Sequence, residues 1–330
     1  MNGMKNKNKR WLGILAAVTF LANGLVKSQD AQFTQYSAVP ILLNPASTGM
    51  MSFGDMRFGG QYRSQWNSLT SNFVTTALSF DMPIQRFGVG GYVINTDEYN
   101  LISTFSFVAS GAYAITQENN TKYKLSVGLQ AGLIYKKLNP KQLTYDQQYD
   151  DGFFNAALAN GENFQNLDRI MPEFNLGISY YNYYKVRTIK PYASAAVQHI
   201  SSPNTALVYT EKAKLPIRWI AQAGARIKMT EAVTIDPNVL FMQQRKAWQV
   251  NAGAMLNYTI KGSPYEVLGG LNYRIKDAAV VQVGFKHNFN IFRISYDFNV
   301  SDLSYYSHYR GGVEFSLQYT PGKRRNRAIY

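Results

Sequence analysis

The sequence of 330 residues has no cysteine, 3 histidines and few charged residues. The missing cysteine excludes a disulfide scaffold, a thiolate metal site, a cysteine nucleophile and a lipid-modified N-terminal cysteine. Charged residues form 16% of the chain, below the roughly 25% that is usual for soluble domains. Tyrosine and glycine are abundant instead, with 24 and 25 copies. This balance favours a β-rich structure over two soluble domains.

Sequence motifs of the common enzyme classes are also absent. The chain contains no GxGxxG fingerprint, no P-loop and no HExxH segment. His199 has Ser201 and Ser202 nearby, but serine is too frequent in this chain for the proximity to indicate a hydrolase. We therefore predict no catalytic residue, no cofactor-binding residue, no metal ligand and no bound cofactor.

The first 28 residues have the layout of a secretory signal peptide. A basic, acid-free start is followed by a largely apolar stretch over residues 11–26, and Ser28 provides a small residue at the cleavage point. The alternative is a transmembrane anchor, but the stretch is shorter than the roughly 20 residues that a spanning helix needs. We expect cleavage after Ser28 and export across the inner membrane.

The formal net charge of +14 is concentrated at the two ends of the chain. Five basic residues lie within the predicted signal peptide and four more lie in the last eight positions. The remainder is only weakly basic, so the charge gives no reason to predict a nucleic-acid partner. We interpret residues 320–330 as a basic periplasmic tail, either a solvated end near anionic lipid or an electrostatic contact for a periplasmic partner.

Alternation of apolar and polar residues recurs along the rest of the chain. In residues 122–136, one face carries Val127 and Leu129, and the other carries Ser126 and Gln130. A period of two residues is typical of β-strands, and many of the segments have the length that a tilted strand needs to cross a bilayer. The fourteen predicted strands are 56–66, 74–82, 87–95, 104–115, 122–136, 172–184, 190–200, 217–229, 232–243, 246–258, 265–276, 279–288, 292–300 and 312–319.

We predict an all-β fold, a transmembrane antiparallel β-barrel of about 14 strands, with 12 to 16 strands allowed by the boundaries. The apolar face carries aromatic residues near strand ends, which is typical of the interfacial girdles of such barrels. A soluble β-sandwich would also alternate, but it would carry more Lys and Glu outside and have shorter strands. The aromatic residues near strand ends are Trp66, Tyr123, Tyr135, Trp219, Trp248 and Tyr258.

The lengths of the predicted connections indicate an orientation. The three longest, 137–171, 201–216 and 301–311, all follow odd-numbered strands. Outer-membrane barrels have short periplasmic turns and longer external loops, so we expect these connections outside the cell and both termini in the periplasm. The predicted organisation is a signal peptide 1–28, a periplasmic N-terminal segment 29–55, an outer-membrane barrel 56–319 and the tail 320–330.

Three short motifs near the start of the predicted mature chain resemble one known family. Residues 29–36 read Q-D-A-Q-F-T-Q-Y, residues 43–49 read L-N-P-A-S-T-G, and residues 62–66 read Y-R-S-Q-W. With similar segments as far as residue 317, this order resembles the PorP/SprF family of Bacteroidetes type IX secretion outer-membrane proteins. Val313 departs from the family, which often has histidine there. The residues that carry the motifs are Asn44, Pro45, Gly49, Tyr62 and Trp66.

The resemblance implies a non-enzymatic barrel that works with the type IX secretion and gliding-motility apparatus. It implies three kinds of partner: outer-membrane lipid, a secreted cell-surface protein such as an adhesin with a type B C-terminal signal domain, and periplasmic or outer-membrane secretion components. A diffusion channel for small solutes is the alternative, because the predicted inward face is polar. The sequence leaves open whether the lumen is plugged.

The segment before the first strand is a candidate functional element. Pro45 restricts Asn44 to extended conformations, and Gly49 can supply a positive φ. We interpret the segment as one that plugs or lines the periplasmic mouth, with a docking site for a partner as the alternative.

The polar face of the first strand is a candidate internal network. Two arginines inside a barrel must be paired or solvated, and carboxylates of the same parity, such as Glu173, Glu266 or Asp297, are candidate partners. We favour an internal polar network over a ring that selects transported solutes. The predicted network consists of Arg57, Gln61, Arg63, Gln65 and Asp297.

The longest connection, 137–171, is the first candidate for contact with an exported partner. Its aromatic residues lie beside acids and a glycine, which suits a protein-binding loop, although an unspecialised surface loop has the same composition. Its acids fit no EF-hand spacing for calcium. The candidate partner-binding residues are Tyr145, Asp146, Tyr149, Asp150, Asp151, Phe153 and Phe154, with Lys323, Arg324, Arg325 and Arg327 of the tail.

Overall fold

A computed structural model gives the fold of the protein. The residues that it describes are 30, 32–51, 55–65, 73–117, 120, 122–140, 146–150, 153–155, 157–158, 167–184, 186–207, 213–301 and 309–322. The predicted signal peptide and the basic tail from Lys323 onward lie outside the described residues.

Fourteen long strands form the main sheet of the described chain. Each pairs antiparallel with its neighbours in sequence, and the sheet closes because the first strand pairs with the last, from Phe58 opposite Tyr319 to Gln65 opposite Gly312. The strands are β1 (Arg57–Gln65), β2 (Phe73–Ile84), β3 (Phe87–Glu98), β4 (Ile102–Ala114), β5 (Tyr123–Leu138), β6 (Asp168–Asn182), β7 (Ile189–Gln198), β8 (Arg218–Lys228), β9 (Val233–Gln244), β10 (Ala247–Thr259), β11 (Tyr265–Arg274), β12 (Ala278–His287), β13 (Asn290–Asn299) and β14 (Arg310–Tyr319).

The predicted fold class is therefore confirmed, including the count of fourteen strands. Most boundaries differ from the prediction by only a few residues. The largest difference is at β6, which begins at Asp168 rather than at 172 because residues 168–171 continue the ladder with β5. The sequence also missed a short two-stranded ladder, Tyr149–Asp150 with Phe153–Phe154, in the link between β5 and β6. Trp66, predicted to end the first strand, lies outside the described residues.

Apolar side chains face out from the barrel and polar side chains face in. On β5, Leu129 is 54% exposed, whereas its neighbour Gln130 is fully buried in the lumen. This is the reverse of a water-soluble protein, and it is the arrangement that hydrocarbon outside and polar groups inside require. Among the described residues, no helix is both long enough and apolar enough to cross a membrane.

The two ends of the barrel differ in their links. The links after β5, β7 and β13, which span 139–167, 199–217 and 300–309, leave from one end of the barrel, which we call the long-link end. The opposite, short-link end has turns such as 85–86 and 288–289. This asymmetry follows the predicted pattern, and the assignment of the long-link end to the cell exterior remains a prediction.

Residues 32–50, which we call the plug, lie inside the barrel. The plug contains a helical turn, α1 (Pro40–Leu43), and a 3-10 turn (Pro45–Ser47). It begins near the long-link end, where the Gln32 carbonyl accepts a hydrogen bond from Arg63 at the end of β1. It leaves near the short-link end, where Met50 packs against Ala112 and Ala114.

The plug is thus more extensive than the mouth-closing segment that the sequence suggested. Because β1 begins at the short-link end, the chain crosses the lumen once as the plug and then returns through the wall. If the long links face outward, the first residues of the plug lie near the outer end of the barrel.

The absence of cysteine in the chain allows a direct test of this orientation. Ala213→Cys introduces a thiol at an exposed position of a long link, and Lys261→Cys introduces one in an exposed short-link turn. We expect a membrane-impermeant maleimide to label the first variant on intact cells and the second only after permeabilisation. Labelling of Lys261→Cys alone on intact cells would show that the barrel is inverted.

Candidate functional site in the barrel lumen

The backbone of the plug finds its hydrogen-bond partners on the barrel wall. Gln130 of β5 donates its side-chain N–H to the Ile41 carbonyl at 2.9 Å, and Gln198 of β7 donates to the Leu42 carbonyl at 3.0 Å. A buried carbonyl without a partner costs free energy, so these inward amides fix where α1 can lie. The wall is therefore built to receive this segment.

Asn44 joins the plug to two strands at once. Its side-chain oxygen accepts the Ala46 N–H at 2.8 Å and so caps the 3-10 turn, as asparagine commonly does at a helix start. Its Nδ2 group donates to the carbonyls of Ile178 and Ala195, on β6 and β7, at 3.0 and 3.1 Å. Pro45 follows with the fixed φ that suits the first helical position. The Asn-Pro pair thus sets both the turn and its position.

At Gly49 the backbone of the plug lies directly against the wall. Its φ of +64° is one that residues with a Cβ rarely adopt, and its N–H donates to Asp81 Oδ2 at 2.6 Å. Opposite it, a Cβ atom on Gly88 would lie 1.8 Å from the Thr48 carbonyl oxygen. Only glycine fits at both positions.

Arg57 and Asp81 tie the plug to β1 and β2. The guanidinium donates from Nε and Nη2 to the two carboxylate oxygens at 2.9 and 2.7 Å, and Nη2 also donates to the Ser47 carbonyl at 3.2 Å. Both side chains are buried. Such a two-point contact fixes geometry as well as neutralising charge.

A second group of charges holds the beginning of the plug. Asp297 of β13 accepts hydrogen bonds from Arg63 Nη2 at 2.7 Å and from Arg274 Nη2 at 2.9 Å. The Thr34 hydroxyl of the plug donates to the same carboxylate at 2.8 Å. Two cations from β1 and β11 and one plug residue therefore share a single buried anion.

Glu314 of β14 completes this group. Its carboxylate accepts the backbone N–H groups of Thr34 and Gln35 at 2.6 and 2.9 Å, and Gln61 Nε2 donates to it at 3.1 Å. Arg63 Nη1 is 3.9 Å away. Buried charges are tolerated only when they are paired and hydrogen-bonded, and here part of that pairing comes from the plug. We call these four charged residues the seam cluster: Arg63, Arg274, Asp297 and Glu314.

Apolar contacts fill the middle of the plug. Val39 and Ile41 are buried against Tyr92 and Val108 of β3 and β4. Across the lumen, Tyr36 packs against a separate group of side chains and its hydroxyl hydrogen-bonds to Asn238 of β9. That group consists of Ala196, Ile220, Leu240 and Met242. The plug is therefore held by wall contacts on both sides of the barrel.

The residues predicted as a lumen network have different places in the structure. Four of them hydrogen-bond to the plug, namely Arg57, Gln61, Arg63 and Asp297. The fifth, Gln65, is partly exposed at the end of β1. Of the other suggested carboxylates, Glu173 contacts His199 Nδ1 at 2.9 Å and Glu266 contacts Lys286 at 2.7 Å, so neither meets an arginine of β1. Tyr62, a family-motif residue, faces outward and is 44% exposed.

Several residues of the site escaped the sequence reasoning. Asp81, Arg274 and Glu314 share the inward parity of their strands, but parity alone does not say which carboxylate meets which arginine. Thr34 and Gln35 belong to a segment with no periodicity, so no signal placed them against β13 and β14. Among the described residues, no group of three or more His, Asp or Glu side chains is arranged to hold a metal ion.

The candidate partner-binding residues are only partly described. Asp146 begins a 3-10 turn, and Tyr149 and Asp150 pair with Phe154 and Phe153 in the short ladder. Phe153 is 79% exposed. The remaining candidates, Tyr145, Asp151, Lys323, Arg324, Arg325 and Arg327, lie outside the described residues.

The contact at Gly88 gives a test of how tightly the plug is seated. Gly88→Ala forces a methyl group against the Thr48 carbonyl, and overpacking of this kind typically costs about 1–3 kcal/mol. We expect the variant to unfold at a lower temperature, read from the heat-dependent gel migration of the purified barrel. The control is Gly269→Ala on β11, where an added Cβ meets nothing within 4 Å; an equal loss in both variants would contradict the plug-wall contact.

Solved structures with a similar fold are outer-membrane barrels. The toluene transporter TbuX of Ralstonia pickettii aligns with 10% identity over 86% of this chain and 93% of that chain, at a TM-score of 0.48. The Pseudomonas putida toluene transporter TodX aligns with 11% identity over 88% and 94%, at 0.47. The monoaromatic hydrocarbon channel CymD aligns with 12% identity over 90% and 96%, at 0.47. No curated protein sequence matches the chain.

A family model provides the closer assignment. The model described as type IX secretion system membrane protein PorP/SprF matches residues 25–319, which include the whole barrel and the plug. The apolar outer wall of the barrel agrees with a place in the outer membrane. The resemblance noted from the motifs is confirmed, and the chain belongs to the PorP/SprF family of outer-membrane proteins of the type IX secretion system.

Proposed function

We propose that this barrel is a non-enzymatic component of the type IX secretion and gliding apparatus that binds or anchors secreted surface proteins. The partners would be adhesin-like proteins with a type B C-terminal domain, together with periplasmic components of the machinery. The observation that carries the proposal, beyond family membership, is the plugged lumen. A barrel whose interior is occupied by its own chain is suited to present surfaces at its two ends.

The plug argues against the alternative of a diffusion channel. The segment is held at the seam cluster, at Asn44 and at the Arg57–Asp81 pair, which lie at successive depths of the barrel. Each attachment includes buried hydrogen bonds that would be exchanged for bonds to water if the plug left, and each such bond contributes about 0.5–1.5 kcal/mol of net stability. Spontaneous release of the whole segment would therefore be rare.

Planar-bilayer recording distinguishes the two functions. We expect the wild-type barrel to show almost no steady conductance. The double variant Asp297→Asn with Glu314→Gln weakens the hold on Thr34 and Gln35, so open events should become more frequent. Glu231→Gln, which removes an exposed carboxylate in a short-link turn, is the control and should stay silent. A large, steady wild-type conductance would support the channel instead.

The link between β5 and β6 is the proposed contact for a secreted partner. Phe153 presents an aromatic ring to solvent at the tip of the short ladder. Aromatic side chains that become buried on association are common centres of binding energy. The basic tail from Lys323 to Arg327 remains the candidate contact on the periplasmic side.

Affinity purification of the tagged protein from native membranes in mild detergent tests the proposal. We expect a large surface protein with a C-terminal β-domain, or periplasmic secretion components, to accompany the wild-type barrel. Phe153→Ser should reduce recovery of the surface protein by about tenfold, the effect of losing roughly 1.4 kcal/mol at one aromatic contact.

The matched control is Val186→Ser. Val186 is 80% exposed, almost the same as Phe153, but it lies in the link between β6 and β7 at the opposite end of the barrel. Its replacement should leave recovery of the surface protein unchanged. A barrel that purifies alone would count against the anchoring function, and equal losses in the two variants would count against the β5–β6 link as the contact.

A further inference from the structure

One part of the lumen is less tightly filled than the rest. At the short-link end, between β6 and β13, several inward side chains are partly exposed, and Arg226 of β8 has a side chain that is 61% exposed. We call this region the vestibule. Its wall is formed by Tyr181, Tyr192, Arg226, Asp236 and Arg293.

Arg293 is the least satisfied cation among the lumen residues that the structure describes. Its Nε and Nη1 atoms are enclosed and have no hydrogen-bond partner there. The charged neighbours of Arg293 are Arg226, of the same sign, and Asp236. A guanidinium carries its donors in a fixed fork that matches a carboxylate or phosphate. The unpaired donors therefore define a place where an anionic group would be stabilised.

Asp236 does not neutralise the pair of arginines. Its carboxylate already accepts the Tyr192 hydroxyl at 2.7 Å and lies 3.6 Å from Arg226 Nη2. One carboxylate thus faces two guanidinium groups. The vestibule keeps a surplus positive charge inside a low-dielectric wall, where charge attraction is stronger than in bulk water.

Aromatic rings line the wall beside these arginines. Tyr181 stacks on Tyr192 with 5.6 Å between ring centroids, and on Tyr183 with 6.2 Å. Aromatic residues and arginine are among the residues most enriched where proteins bind other proteins. A wall that combines tyrosines and arginines is suited to an extended peptide more than to a bare ion.

We propose that the vestibule binds an acidic peptide segment of a partner protein. Arg293 and Arg226 would receive its carboxylates, and the tyrosine stack would pack against its backbone and side chains. A lipid headgroup cannot easily reach this position, because the closed barrel wall separates it from the bilayer. The site goes beyond the proposed anchoring function, since it lies at the other end of the barrel from the β5–β6 link and its test needs no secretion partner.

Fluorescence anisotropy with a fluorescein-labelled hexaglutamate peptide tests the proposal on the purified full chain in detergent. We expect saturable binding that weakens as salt is raised, and no binding of the labelled hexalysine peptide. Arg293→Gln and Arg226→Gln should each weaken binding at least about tenfold, the effect of losing one charge-assisted contact. Lys261→Gln, which removes an equal charge from an exposed short-link turn, should change the affinity less than twofold.

The possible results distinguish a specific peptide site from non-specific attraction between opposite charges. Equal weakening by Lys261→Gln and Arg293→Gln would show a diffuse charge effect and overturn the proposal, as would wild-type affinity in both arginine variants. Arg293→Gln should keep or raise the unfolding temperature, because it removes a charge with unpaired donors. If that variant does not fold, the exposed Arg226→Gln decides alone: unchanged affinity overturns the site, and a tenfold loss supports it.

Discussion

The rest of the structure depends on how the seam cluster satisfies two buried carboxylates. Asp297 and Glu314 lie on the last two strands, next to the point where β14 meets β1. Their partners come from β1, from β11 and from the plug. Donors to these carboxylates come from both the wall and the plug, so barrel closure and plug insertion stabilise each other.

Hydrogen bonds between the plug and the wall recur along the lumen. They explain why the interior is polar without being open. Asn44, Gln130 and Gln198 use side-chain groups to complete backbone bonds of the plug or wall. Outside, residues such as Leu129 meet hydrocarbon and need no partner. The inward polar side chains would suggest a water-filled pore, but many of them hydrogen-bond to the plug. In the vestibule, Arg293 keeps donors that have no partner.

Periodicity predicted the barrel well and the site poorly, for physical reasons. The alternation in β5 reports directly that one face meets lipid and the other meets polar groups, so fold, strand count and link asymmetry could be read from it. By the same parity Arg63 and Asp297 belong to the inward face, and both are buried in the structure. Their link to Glu314 and Thr34 depends on a segment without periodicity and on contacts across some 280 positions of sequence, which no local pattern records.

The path of the plug has a consequence for how the protein must assemble. The backbone N–H groups of Thr34 and Gln35 donate to Glu314, on the strand that closes the barrel. These residues are 280 and 279 positions apart from Glu314 in the sequence. Contacts so distant in sequence form late and slowly. Once β1 and β14 have paired, the segment can no longer enter from the side of the sheet, so seating of Thr34 and Gln35 and closure of the wall are coupled late steps of assembly.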